Sequence, residues 1–352
     1  MSLSTDLAVR DLTDPAQGPH AIQAIVAAVL DAAAMLYPDA SLVVHRGDRI
    51  VDVADNYDRL GYSPAAAARD SRYTRYVDER RMLRSQTSAL IPGALRALVP
   101  SEALVACPGI VYRRDSIDRL HTGTPHQLDL WWLGDGARDL PSLVTAVVEA
   151  ALPGVEWRTT PATHPYTTDG LEIEARVGDT WVEIGECGVA AAHVIGPTRH
   201  GLAVGLGLDR LLMLRKGIDD IRLLRSTDPR VSRQLIGLEP YRSVSTQPAA
   251  RRDLSVAQPA DVTAEDLGDR VRDLLGSDAH LVEEVAIESI TRSSELPQAS
   301  RDRLALREDE VNVLLRVVLR DLHHALPKQR ANALRDRLYE GLMGLRPAAR
   351  RR

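Results

Sequence analysis

Residues 171–187 constrain the fold more than any other stretch. In LEIEARV, apolar Leu171, Ile173, Ala175 and Val177 alternate with Glu172, Glu174 and Arg176, the period of a strand with one buried face. Gly178-Asp179 then turns the chain into a second strand over 181–187. Such a hairpin needs further strands and a covering layer to bury its apolar face. The sequence supplies both. Residues 41–45, 49–53, 104–107, 110–114 and 126–133 read as strands, with Pro108-Gly109 as a turn between the third and fourth. Residues 21–36, rich in Ala and Leu and free of Pro and Gly, read as a helix. Helical spacing recurs at 88–98 and 206–214, whereas 55–84 reads as irregular. The expected fold class is α+β, a central antiparallel sheet flanked by helices.

Residues 239–250 are turn-rich and aperiodic and mark a boundary. A strand (252–256), a helix (264–275), two strands (280–287 and 312–319) and a helix (329–343) follow. That order suits a small ferredoxin-like α+β domain. A chain of 352 residues has room for two domains: 1–240, 241–346, and a basic tail at 347–352. No apolar run approaches the roughly 20 residues of a membrane span, and the first ten residues contain no signal-type apolar core. The reading is a cytoplasmic protein that meets no membrane. Cys107 and Cys187 read as reduced core thiols. The net charge of -5 excludes electrostatic capture of nucleic acid by the molecule as a whole. All but two of the 44 basic side chains are arginine, so a lone arginine carries little meaning and only spacing can assign one a role.

Three segments carry such spacing: GIVYRRDSIDRLHTGTPHQLDLW (109–131), WVEIGECG (181–188) and GLAVGLGLDRLLML (201–214). In this order they resemble the catalytic core of class II aminoacyl-tRNA synthetases, in the phenylalanyl branch. The resemblance runs over about 55–235, and the region past 241, with RRDLSV and NVLLRVVLRDL, resembles the ferredoxin-fold anticodon-binding domain of the single-chain type. It implies ATP-dependent activation of an amino acid, with ATP and Mg²⁺ as cofactors and transfer to tRNA. Charge is the physical requirement. Carboxylate attack on the α-phosphate brings two anions together, and a bidentate, permanently charged arginine suits that. Arg113 of YRRD matches the motif-2 arginine that grips α-phosphate and carboxylate, and Arg210 of GLGLDR the motif-3 arginine that braces the ATP tail. Gly205 and Gly207 would let backbone approach the nucleotide. Asp115 and His121 are implied at the nucleotide, and Glu183 as the acid that holds Mg²⁺.

At the amino-acid end, Gln127 and Asp129 fall where the family holds the substrate ammonium, and Ser88 where its RTHTS stretch has a serine. Ala203 is implied at the same pocket. This chain also departs from the family. Gln86 replaces a histidine, His164 and Tyr166 replace two pocket phenylalanines in HPYT, Glu186 replaces a glycine, and Pro125 replaces the phenylalanine that stacks on adenine. An unpaired polar group against a phenyl ring costs on the order of 2–7 kcal/mol, so the expected substrate is a polar or cationic amino acid. Strict alternation in WVEIGECG puts Glu183 on one face and Glu186 on the other. Asn312, Arg316 and Arg320 share a strand face that would meet RNA phosphate, aided by the tail. The expected state is a monomer or homodimer, with the helix at 21–36 placed where class II enzymes dimerise. Two other readings stand: adenylation for a carrier protein or small amine, and a non-catalytic binding module.

Overall fold

The computed structural model describes residues 3–344 apart from 99, 115, 117, 137, 245, 246 and 308. Asp115 and the tail at 347–352 lie outside the described residues. The first part of the chain lays down β1 (Ser41–Val44), β2 (Ile50–Asp52), β3 (Arg81–Leu83), β4 (Ala103–Ile110), β5 (His126–Gly134), β6 (Trp157–Pro161), β7 (Thr167–Val177), β8 (Thr180–Ala190) and β9 (His200–Gly207). Among the described residues, β2 and β3 pair with each other, and the rest form one seven-stranded sheet in the order β1-β4-β5-β9-β8-β7-β6. Its β1–β4 pair is parallel, and its other pairs are antiparallel.

Side-chain alternation sorts the two faces of this sheet. Leu128, Leu130 and Trp132 of β5, with Leu202, Val204 and Leu206 of β9, turn to one face. They share a core with the helices Ala21–Leu36, Leu140–Ala151 and Leu208–Lys216. Full burial of each such aliphatic side chain is worth roughly 1.5–3 kcal/mol. Asp129, Trp131, Ala203 and Gly205 turn to the opposite face, which carries the candidate site. The helix Leu140–Ala151, capped by Asp139 accepting from Ser142 N, was not foreseen from the sequence.

Pro108-Gly109 is not a turn. β4 runs straight through it, with Pro108 opposite Leu128 and Gly109 opposite Gln127. The parallel partner β1 ends at the Val44–Ala106 pair, so Pro108 sits where its missing N–H has no ladder partner to lose. A Cβ at Gly109 would collide with the guanidinium of buried Arg84. Strict alternation also fails in β8. Ile173 pairs with Gly185 while Glu174 pairs with Glu183, so Ile184 is an extra residue, a β-bulge. Ile184 turns into the helix-side core, and Glu183 and Glu186 both face the same cleft. The expectation that they occupy opposite faces is therefore corrected by one inserted residue.

A second sheet is built from β10 (Ala250–Pro259), β11 (Val282–Arg292) and β12 (Glu310–Leu319), in the order β10-β12-β11 and antiparallel throughout. The helices Ala264–Leu275 and Lys328–Gly344 share its core. This unit docks on the loop between β4 and β5. Arg119 Nε donates to Glu283 at 2.9 Å, and Arg272 Nη2 to Ser116 O at 3.1 Å. Arg75 bridges to Asp269 at 3.2 Å. No helix of the described residues is long and apolar enough to cross a membrane.

Candidate active site

The cleft opens on the sheet face opposite the helices and holds about 180 Å³. Arg113, from the loop after β4, and Arg210, in the first turn of the helix after β9, both line it, with Glu183 of β8. Two guanidinium groups far apart in sequence thus share one cavity. Each is fixed by specific partners. Arg113 Nε donates to Ser85 O at 2.8 Å, leaving its remaining N–H groups for the cleft. Ser85 is itself held by Asn56, whose Oδ1 accepts from Ser85 N at 3.0 Å and whose Nδ2 donates to Ser85 Oγ at 2.9 Å. Arg210 Nη1 donates to Glu183 O at 3.0 Å, and Nη2 donates to His121 Nε2 at 2.9 Å. Because arginine only donates, His121 Nε2 is an acceptor here and Nδ1–H points to Asp118 Oδ2, at 2.6 Å. His121 therefore relays the position of the β4–β5 loop to Arg210.

Behind this end lies a buried network. His126 Nε2 accepts from Leu12 N at 3.1 Å and lies 3.2 Å from Arg225 Nη2, so its Nδ1–H donates to Asp209 Oδ1 at 3.0 Å. The His126 backbone N–H also donates to Asp209 Oδ2. Burial alone would raise the Asp209 carboxyl, but the His126 contacts and the Arg225 charge hold it below the usual range. Asp209 thereby ties the start of β5 to the helix that carries Arg210.

Pairing register aligns the other end. Asp129 of β5 lies opposite Gly205 of β9, and Gly205 lies opposite Glu186 of β8. Two carboxylates thus flank a residue with no side chain. A Cβ on Gly205 would sit 3.3 Å from Glu186 Cγ, so this glycine makes room for Glu186. Asp129 accepts from Thr87 Oγ1 at 2.7 Å and from Trp131 Nε1 at 3.2 Å. Burial nevertheless pushes its carboxyl up to about 6, with the Glu186 charge adding to the effect. Glu186 accepts from the Tyr166 hydroxyl and lies 3.0 Å from His164 Nε2. Burial opposes its ionisation, yet these two partners hold it below the ordinary carboxylate range. The same contact with Glu186 raises His164, and burial sends the Tyr166 hydroxyl far up. Gln127 Oε1 accepts from Thr87 N at 3.2 Å, which points its amide N–H groups at the cleft.

The structure brings Arg113, Arg210, His121, Glu183, Gly205, Gly207, Gln86, Ser88, Gln127, Asp129 and Glu186 to one cavity. His164 and Tyr166 do not line it and stand behind Glu186 as its anchors. Ala203, 3% exposed, packs with Trp131 and Leu133 in the core beneath. Gln86 is held in place, donating to Asn56 O at 3.0 Å and accepting from Tyr62 at 3.1 Å. Arg316 is paired with Asp253 at 2.9 Å and Glu288 at 3.0 Å. Arg320 lies past the end of β12, bonded to Glu283 and to Gln247 O. The expected shared basic face therefore does not form from these two side chains. Sequence reasoning missed Asn56, Thr87, Asp118 and Asp209. The i, i+3 pair in DRLH (118–121) was a signal for Asp118, but nothing local marks Asn56.

The residues present fit a nucleotide and its metal. Two anchored guanidiniums stand beside a helix N-terminus, and Glu183, with 53% of its side chain exposed, is a single carboxylate of the kind that holds Mg²⁺ against phosphate oxygens. A mostly antiparallel sheet with helices on one face and such a cleft on the other defines a class of nucleotide-using ligase folds. Residues 13–235 match the model of the tRNA synthetases class II core domain (F), and the chain belongs to that family. It is similar to the phenylalanine--tRNA ligase alpha subunit of Laribacter hongkongensis, 32% identical over 213 residues, which are 58% of this chain and 64% of that protein. The alpha subunit from Nostoc punctiforme is 27% identical over 237 residues, 65% of this chain and 70% of that one. The chain thus matches a little under two thirds of the first relative's length. A crystal structure of pyrrolysyl-tRNA synthetase from Desulfitobacterium hafniense is 19% identical with a TM-score of 0.47, covering 59% of this chain and 74% of that chain.

Proposed function

We propose that the protein activates an amino acid with ATP, forming an aminoacyl adenylate and pyrophosphate, and passes the acyl group to tRNA. The cleft that Arg113, Arg210 and Glu183 share carries this reading. Arg113 neutralises the α-phosphate and the incoming carboxylate, so that the two anions meet in line. Arg210, braced by Glu183 O and His121, receives the charge that builds on the leaving pyrophosphate. Both are preorganised before substrate arrives, which is the arrangement that lowers a barrier most. Mg²⁺ on Glu183 would neutralise the phosphates when bound. Gln127 and Asp129 orient the amino group, and Pro125 forms part of the wall at the base. The amino-acid end is polar throughout, in keeping with a substrate other than phenylalanine.

ATP–pyrophosphate exchange over all amino acids tests activation. Charging of total tRNA tests the acceptor. A second reading, adenylation for a carrier protein or small amine, is favoured by one observation: Arg316 and Arg320 are spent on carboxylates instead of facing RNA. We also propose residues 241–346 as the acceptor-contacting domain, since they dock on the loop that positions Arg113 and His121. Exchange without tRNA charging selects the second reading.

A further inference from the structure

On its β8 side the amino-acid end of the cleft stops at Glu186. Asp129, Gln127, Ser88 and Glu186 line it there, whereas Trp131, Ala203 and Tyr166 lie directly behind and contribute nothing to its wall. Those three are 0%, 3% and 3% exposed. No room is left among them. The Tyr166 ring lies 6.2 Å from Trp131, 6.3 Å from Tyr62 and 6.0 Å from His164, which is aromatic packing without a gap for a further ring. Glu186 leans over Gly205 towards Asp129, in space that any side chain at 205 would fill. Its two carboxylate oxygens are each held from behind, one by the Tyr166 hydroxyl and one by His164 Nε2.

We infer that this site takes a small amino acid, of the size of glycine, alanine or serine, and that Glu186 with its two anchors plugs the space a larger side chain needs. The inference rests on the activation reading above and narrows its substrate. A larger side chain has to displace Glu186 and break both of its hydrogen bonds, leaving the buried Tyr166 hydroxyl and the half-buried His164 Nε2 without that partner. A long cationic side chain gains little in return, because both Glu186 oxygens are already engaged by the Tyr166 hydroxyl and His164 Nε2. The one cation the pocket needs is the α-ammonium, which lies between Asp129 and Glu186 above Gly205. The polar character of this end thus serves the amino group and the plug, and no polar side-chain subsite follows from it.

The test is ATP–pyrophosphate exchange with glycine, alanine, serine, lysine, arginine, phenylalanine and tyrosine. The expected result is exchange with a small amino acid at least about tenfold above the rest, in the range that steric pockets achieve. Exchange led by an aromatic or long cationic amino acid overturns the inference and leaves activation standing. A folded, ATP-binding protein that exchanges with no amino acid overturns activation itself. Glu186→Gly opens the plug, and Tyr166→Phe removes one anchor while keeping the ring. Both are read as the ratio of large to small substrate, which loss of folded protein does not move. Glu186→Gly should raise that ratio by about tenfold or more, and Tyr166→Phe should raise it less. An unchanged ratio in both variants overturns the plug.

Discussion

Replacing Arg113 by alanine separates an anchoring role, seen at Nε, from the proposed catalytic role of the terminal N–H groups. Nε is committed to Ser85 O at 2.8 Å, a charge-assisted bond to a partly buried carbonyl whose loss costs about 2 kcal/mol of stability. In a domain of this size that lowers Tm by about 4–8 °C. On the proposed function, the terminal N–H groups meet the reacting anions. Loss of one preorganised donor of that kind costs roughly 3–4 kcal/mol in the transition state, or about 10²–10³ in rate. Arg113→Ala should therefore remain folded at 25 °C and lose about 10²–10³ in kcat/KM for pyrophosphate exchange. Arg113→Lys keeps the charge but loses the fork and the Ser85 anchor, and should fall between. The assay pairs exchange kinetics with a melting curve on the same sample. Exchange within about threefold of wild type, a difference below 1 kcal/mol, would refute the assignment of Arg113 to the reacting phosphate.

Other outcomes follow from buried charges and close approaches. Asp129 titrates at about 6 when folded, above its unfolded value of 3.8, so the folded state binds the proton more tightly and is penalised once the group ionises. The penalty grows between about pH 4 and 6, is complete above that, and amounts to up to about 3 kcal/mol. Asp129→Asn should thus raise Tm at pH 7.5, lose the gain near pH 4, and abolish exchange; in wild type, kcat/KM for the amino acid should fall as pH drops through about 6. Glu283 accepts from Arg119 and Arg320 at the junction of the two sheets. Glu283→Ala removes the carboxylate these two partly exposed cations share, at a cost of about 1 kcal/mol, and limited proteolysis should then cut near 240–250 at lower protease. Gly109→Ala drives a methyl into the Arg84 guanidinium, which is bonded to Ile110 O and Arg46 O at 2.8 Å each. A loss of about 2–4 kcal/mol in chemical denaturation is expected.

Much of this architecture was written locally. The 171–187 hairpin, the helix Ala21–Leu36 and the β–α–β–β–α order past the linker follow from periodicity and turn residues, which act over a few positions. The family, too, was legible from three short segments. What escaped depends on neighbours distant in sequence. Pro108-Gly109 looks like a turn until one knows that β1 stops two residues earlier and that Arg84 needs the space above Gly109. The bulge at Ile184 has no residue signature, and without it Glu183 and Glu186 fall on opposite faces. The resemblance puts His164 and Tyr166 at the amino-acid pocket; in the structure they hold the Glu186 carboxylate and do not line the cleft. Asn56 lies in a stretch without periodicity, yet it holds the residue that holds Arg113. Asp321 and Glu310 stand near Arg316 and Arg320 in sequence, but the acids that pair with them, Asp253 and Glu283, reach them only through the sheet.

The extra residue in β8 sets a fixed span between Glu183 and Glu186, the acids proposed to face phosphate and the amino group. Both ends of the cleft are thereby threaded on a single strand, like two beads whose spacing the register dictates. Regular pairing there, with every residue kept, would leave the hairpin in place and turn Glu186 into the helices, taking the plug out of the proposed amino-acid end without altering any chemical group at the proposed nucleotide end. Selectivity in this architecture is thus separable from phosphate chemistry by backbone phase alone.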